Sequence, residues 1–273
     1  MHKIRKCFAL ILAFCLTFCS AVTFGGQSSE AASKKTVYVM TKMIFHDYDE
    51  DDDDEFDTSK ATFSWTYDKN GLLKSWKMVT DKGNIIVKSS VKYGKSSHLK
   101  SNRLSMYYKG ADLCQHFSRK FTVNKNGCVT KIKIYNEKGK LSGYTKYSWD
   151  KKYNKTKERI YSAKGKLKEK IKYSYFSNGK MKESKTYSAS GKLDSRMKYE
   201  YNGSKVTITE YDNDGEVESK TIAKMKNGNI VSLKQYDDNG ELEESVTFKY
   251  KKVKTSKKKM VQGQQAVITE VGL

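Results

Sequence analysis

Hydrophobic and polar positions along this chain alternate with period two. Phe63-Trp65-Tyr67, Phe121-Val123, Tyr147-Trp149, Ile171-Tyr173-Tyr175, Met197-Tyr199-Tyr201 and Val246-Phe248-Tyr250 fall on one parity, while Lys170-Lys172-Ser174, Lys198-Glu200 and Thr247-Lys249 fall on the other. Successive side chains of an extended chain point to opposite faces, so such runs predict half-buried β-strands rather than helices. A further strand is expected from Thr36 to Phe45.

Turn residues punctuate these runs at a regular beat. Proline is absent, so every reversal falls to Gly, Asn, Asp and Ser. One phrase recurs as Tyr135-Asn-Glu-Lys-Gly139-Lys-Leu141, Tyr161 to Leu167, Tyr187 to Leu193, Tyr211 to Val217 and Tyr236 to Leu242, its glycines stepping by 26, 26, 24 and 25 residues. A second set of turns keeps the same step at Gly127, Tyr153, Gly179, Gly203 and Gly228. Upstream, Gly71 fits the second set, whereas Gly83 and Gly110 fit the first. The turn glycines of the repeat are thus Gly71, Gly83, Gly127, Gly139, Gly165, Gly179, Gly191, Gly203, Gly215, Gly228 and Gly240; Asn-Gly, Asp-Gly and Ser-Gly pairs give hairpins the positive φ they need. Two turns per repeat give about eight two-strand units of roughly 25 residues. The expected fold is all-β: tandem antiparallel β-hairpin repeats in one long curled meander, either barrel-like or an open spiral. An open sheet much beyond about ten strands curls or splits.

The ends divide the chain. Lys3, Arg5 and Lys6 precede an uncharged apolar stretch from Cys7 to about Phe24, and Ser29-x-Ala31 follows. That layout predicts a signal peptide over 1–31. The alternatives are an uncleaved anchor, since roughly 18 apolar residues can span a bilayer, and lipidation at Cys19. Residues 32–58 hold the first strand and an acidic loop, 59–253 the repeat domain, and 254–273 a basic segment with a possible closing strand at Ala266–Val271. After cleavage no transmembrane segment is expected, and the destination is the medium or the cell envelope.

Certain repeat phrases carry a resemblance. Trp65-Thr-Tyr67-Asp68-Lys-Asn-Gly71-Leu72 and Glu210-Tyr211-Asp212-Asn-Asp-Gly215 resemble the Tyr-Asp, or Rhs, repeat. The chain departs from it where Lys140, Lys166, Lys192, Glu216 and Glu241 replace the usual Arg, and where Asn136, Ser162 and Ser188 replace the Asp. Tyr173-Ser-Tyr175-Phe-Ser-Asn-Gly179-Lys-Met181 is also similar to variant MORN repeats. Both resemblances imply a curling antiparallel sheet serving as scaffold, shell or contact surface, and neither implies a catalytic residue.

Charge points to partners. The formal charge of +22 becomes +20 once Lys3, Arg5, Lys6 and Glu30 leave with the signal. Such a balance attracts anionic polymers, and export turns the expectation from nucleic acid toward cell-wall polymer, glycan or another protein. The competing reading is that lysines merely solvate the sheet and guard its edges. No cofactor is expected. Weak calcium binding is conceivable in the acidic loop, at Asp49, Asp51, Asp53 and Asp54. Cys114, His116 and Cys128 permit a dyad or a three-ligand metal site, and the two cysteines permit a disulfide. His46 and His98 sit in no catalytic phrase. The functional expectation is therefore a non-catalytic exported binding or surface-structural module; the alternatives are a toxin-associated Rhs-type scaffold enclosing another polypeptide, and a hydrolase whose site the sequence does not assemble.

Overall fold

A computed structural model describes residues 35–48, 60–94, 99–108, 112–125 and 128–255. The described residues form sixteen strands. The first eight are β1 (Lys35–Asp47), β2 (Lys60–Tyr67), β3 (Leu73–Thr80), β4 (Ile85–Tyr93), β5 (Leu99–Tyr108), β6 (Asp112–Val123), β7 (Val129–Tyr135) and β8 (Leu141–Trp149). The second eight are β9 (Lys155–Ser162), β10 (Leu167–Tyr175), β11 (Met181–Ser188), β12 (Leu193–Asn202), β13 (Lys205–Tyr211), β14 (Val217–Lys226), β15 (Asn229–Tyr236) and β16 (Leu242–Thr255). Each strand pairs with its neighbours in sequence, and β16 pairs antiparallel with β1 from Lys35↔Thr255 to Asp47↔Glu244, closing the sheet into a barrel. The meander expected from the two-turn beat is present, and of its two forms the closed one is adopted. Closure falls to the end of the repeat domain, ahead of residues 256–273, which lie outside the described residues.

One turn design recurs. In the turn after β13, the Asp212 carboxylate accepts from the amides of Asp214, Gly215 and Glu216 at 2.7–2.9 Å, while Asp212 N donates to Glu216 O at 3.0 Å. Gly215 takes φ +93°, a left-handed value that costs an L side chain strain. This is a three-residue loop with a glycine bulge, which matches the twist of the flanking strands. Asp68, Asn136, Asp150 and Asp237 repeat the side-chain acceptor role, and Ser162 fills it with a hydroxyl. The Tyr-Asp-x-x-Gly phrase therefore has a local cause: Asp or a substitute caps the loop amides and Gly supplies the turn. The reversal after β8 departs from it, with Tyr153 at φ +66° in the glycine position. The reversal after β14 also differs, using Asn227 and Gly228, both at positive φ, in a two-residue turn.

At the opposite end of five hairpins an aromatic clamp ties strand to strand. Tyr93 Oη donates to Leu73 O at 2.6 Å, Trp149 Nε1 to Val129 O at 2.8 Å and Tyr175 Oη to Lys155 O at 2.7 Å, each reaching 20 residues back. Tyr67 Oη donates to Met40 O in the first hairpin. The Tyr201 hydroxyl lies against the Met181 backbone, and burial pushes that phenol above its ordinary range. A β-bulge precedes the clamping residue, between Ser148 and Trp149 and between Ser174 and Tyr175.

The predicted parity holds. Phe63, Trp65, Tyr147, Tyr173, Met197, Tyr199, Val246 and Phe248 all point inward and are buried. Sixteen strands in a round section would leave an aqueous channel. Here inward residues such as Met181, Ala223 and Val206 are 0–1% exposed, so facing side chains cover them and fill the barrel as a core. Two further apolar clusters extend it, one around Leu99, Val129, Ile132 and Tyr147, the other around Val37, Val39 and Leu72. Among the described residues, Trp65 Nε1, Trp76 Nε1 and Asn102 Oδ1 are buried without a hydrogen-bond partner.

Candidate functional site

The outer wall carries the charge. On one row across β7 to β10, Lys131 stands opposite Lys146, Lys146 opposite Arg159, and Arg159 opposite Lys170. On a second row across β9 to β12, Lys157 stands opposite Lys172, Lys172 opposite Lys185, and Lys185 opposite Arg196. Neighbouring strands lie about 4.8 Å apart, so each row sets four cations along roughly 14 Å, perpendicular to the strands. The rows overlap on β9 and β10, where Lys157, Arg159, Lys170 and Lys172 form a square of positive charge. Like charges directly opposite repel. Desolvation, then the neighbouring Lys133 and Lys146, hold the Lys131 ammonium below the usual lysine range. Glu183, 3.0 Å from Lys185, sits at one margin of the rows.

The far side of the barrel differs. There a row across β16, β1, β2 and β3 reads Thr247, Ile44, Thr62 and Val79, without charge. The adjacent row reads Lys249, Lys42, Ser64 and Lys77, interrupted by a serine. The long unbroken rows of opposed cations thus lie on β7–β12, while Lys77 opposite Lys88 and Lys205 opposite Lys224 are isolated pairs.

Tyrosines frame the rows. Tyr135, Tyr161, Tyr187 and Tyr211, each the first residue of a repeat phrase, stand outward on β7, β9, β11 and β13, on the parity opposite to inward Ile132, Ile160, Thr186 and Ile208. Lys120 lies over the Tyr135 ring at 5.0 Å, Lys146 over Tyr161 at 5.5 Å, Lys170 over Tyr187 at 4.7 Å and the Arg196 guanidinium over Tyr211 at 4.5 Å. Tyr144 and Tyr161 stack with ring centroids 4.7 Å apart. Such contacts hold long cationic side chains flat against the sheet. The tyrosines of Lys172-Tyr173-Ser174-Tyr175 and Lys198-Tyr199-Glu200-Tyr201 point inward instead.

One buried ion pair stands inside the barrel. Lys155, 2% exposed, reaches Glu158 Oε2 at 3.1 Å, and Tyr173 Oη donates to the same oxygen at 3.1 Å. The ammonium also lies over the rings of Tyr173 and Tyr147, at 4.6 and 5.5 Å. Burial, then Glu158 and Asp194, raise the Glu169 carboxyl above its usual range. Burial, then Glu218, push Glu210 up to about 7, against the lowering effect of the Ser219 hydroxyl.

The residues singled out by sequence fare unevenly. Asp49, Asp51, Asp53 and Asp54 lie outside the described residues, as do His98, Gly110, Gly127 and the signal segment. Cys128 is a buried free thiol, pushed up to about 11 by burial. The Cys114–Cys128 disulfide and the three-ligand site do not form. Val123 pairs with Val129, and Cys114 lies nine residues further along β6, roughly 30 Å away at strand rise, where a disulfide needs Cα atoms within about 7 Å. His116 Nδ1 meets Ser105 Oγ at 3.1 Å, and His46 stacks with Tyr48. Among the described residues, no group of three His, Cys, Asp or Glu is placed to hold a metal.

No protein-family model matches the chain, and no curated protein matches it. Several solved structures show a distant similarity, three of which follow. A porin-like protein from Bacteroides uniformis is 10% identical with a TM-score of 0.40, over 78% of this chain and 96% of that one. The TcdB2-TccC3-Cdc42 structure is 11% identical with a TM-score of 0.24, over 67% of this chain and 14% of the other. A Bacteroides fragilis protein is 15% identical with a TM-score of 0.23, over 52% of this chain and 93% of that one. What fold and surface together define is a closed barrel of hairpin repeats, filled within and cationic on one outer side.

Proposed function

We propose that this chain is an exported, non-catalytic β-repeat barrel that binds an anionic cell-wall polymer through its outer wall. The observation carrying this reading is the pair of uninterrupted cation rows on β7–β12. Repulsion within them is a cost to the free protein that an anionic ligand relieves, and solvation alone does not call for directly opposed lysines. The interior supports binding from outside: filled by its own side chains, it leaves little room for an enclosed polypeptide. A non-catalytic role fits the Lys155–Glu158–Tyr173 group, whose polar atoms pair with one another inside the core.

A membrane-spanning barrel demands the reverse polarity, with an outward apolar band about 25 Å tall and a polar lumen. Lys131, Lys146, Lys157 and Lys172 stand where that band would lie. The test is sedimentation of the purified chain with isolated Gram-positive wall across a salt series. Retention that falls steeply as salt rises is expected, and indifference to the wall at low salt removes the reading.

A further inference from the structure

Resting on that reading, we infer the ligand's class and its path: a linear polyphosphodiester lying across the strands of β7–β12, along the two cation rows. The rows run perpendicular to the strands, so a chain that follows them crosses one strand every 4.8 Å or so. Successive rows on one strand, such as Lys157 and Arg159, are two residues and about 6.7 Å apart. A phosphodiester carries one charge per unit, shared by two non-ester oxygens that can bridge cations on facing strands. Its charges sit on the polymer backbone itself and follow whatever line the chain takes, whereas the carboxylates of a polyuronide hang from its sugar rings. Arg159 and Arg196 offer planar guanidinium forks, which suit phosphate oxygens. The stacked Tyr144 and Tyr161 bound the path on its turn side with apolar ring surface against which the carbon units between phosphates can rest.

The experiment compares two triple variants of the purified chain by fluorescence anisotropy with labelled poly(glycerol phosphate) over a salt series. Lys157→Gln/Lys172→Gln/Lys185→Gln cuts the overlapping rows, and Lys42→Gln/Lys77→Gln/Lys249→Gln removes equal charge from the far side. Binding of the unaltered chain is expected to fall with a log–log salt slope of about −5.6, as roughly eight neutralised phosphates imply for a single-stranded polyanion. The row variant should lose at least about thirty-fold in affinity and about two units of slope, and the far-side variant less than about three-fold. Circular dichroism should be unchanged in both, since each substitution relieves like-charge contacts. Equal losses would overturn the path while leaving polyanion binding intact. Binding of polygalacturonate as tightly as poly(glycerol phosphate) would overturn the phosphodiester class. Failure of the unaltered chain to bind either polymer would remove the parent reading itself.

Discussion

The buried ion pair offers a sharp test of how the barrel is held together. Lys155 and Glu158 occupy positions that other hairpins fill differently: the first residues of β3, β7 and β11 are Leu73, Val129 and Met181, and the residues three further on are Trp76, Ile132 and Ser184. An ion pair thus stands in a mostly apolar frame. Removing one partner of such a pair costs about 3–5 kcal/mol, because the other charge stays buried. In Lys155→Met the Glu158 carboxylate keeps the Tyr173 hydroxyl at 3.1 Å, and in Glu158→Ile the ammonium keeps the Tyr173 and Tyr147 rings. Both compensations point to the lower end, about 3 kcal/mol for each single change. The double variant restores the apolar pattern of neighbouring repeats and should lie within about 1 kcal/mol of the parent. Urea unfolding at pH 7, followed by circular dichroism, measures all four corners of the cycle. Single losses below about 1 kcal/mol, or a double variant as unstable as the two losses summed, would refute the buried pair.

Four further outcomes follow from the same geometry. A Cβ at Gly143 would meet Tyr161 O at 2.8 Å, a backbone atom that yields little, so Gly143→Ala should lower stability by about 1–3 kcal/mol in the same titration. Tyr175→Phe removes the clamp on Lys155 O and should cost about 1–2 kcal/mol without changing the strand content seen by circular dichroism. Asp212→Ala unties three loop amides and should lower the urea midpoint by the equivalent of about 1–2 kcal/mol, whereas Asp212→Asn keeps most of it. Glu210 is the pH probe: its folded pKa of about 7 lies above the ordinary 4.5, so the native state holds the proton more tightly than the unfolded chain. Its contribution is fully present below pH 4.5 and is lost as pH rises to 7, by at most about 3 kcal/mol, and Glu210→Gln should flatten that slope in urea midpoints taken from pH 4 to 8.

Much of the architecture was legible because its causes are local. Each loop needs an amide acceptor and a left-handed residue, and Asp212 with Gly215 writes both into the sequence. The even strands were readable because Tyr173, Tyr199 and Phe248 alternate with lysine. The odd strands were not: Lys-Thr-Lys-Glu-Arg-Ile-Tyr-Ser in β9 and Met-Lys-Glu-Ser-Lys-Thr-Tyr-Ser in β11 offer little apolar contrast, and the bulges shift parity at their starts. For that reason the outward face of the repeat-phrase tyrosines is not legible from periodicity, although Ile160 beside Tyr161 marks the switch of face. The cation rows lie deeper still. No stretch of sequence joins Lys131 to Lys170; only the register between strands does. The disulfide option likewise needed the register of β6 on β7 to be settled.

Register is also what couples the fold to the proposed binding face. The side-chain period of a strand is two, so a one-residue slip of β10 against β9 would carry Lys170 and Lys172 into the core and Ile171 and Tyr173 into water. The glycine-bulge loops at one end and the aromatic clamps at the other fix that register in the hairpins β7–β8, β9–β10 and β11–β12, and they do so without using any residue of the rows. The six opposed cation pairs of the two rows work against the sheet by about 1–6 kcal/mol together, set against a domain's net stability of about 5–15 kcal/mol. Glutamate on alternate strands would remove it, as Glu183 does beside Lys185. Under the proposed function an anionic polymer lying along the rows offsets that cost, whereas the opposed pairs of the far side, Lys42 with Lys249 and Lys77 with Lys88, are separated by Ser64 and form no such path.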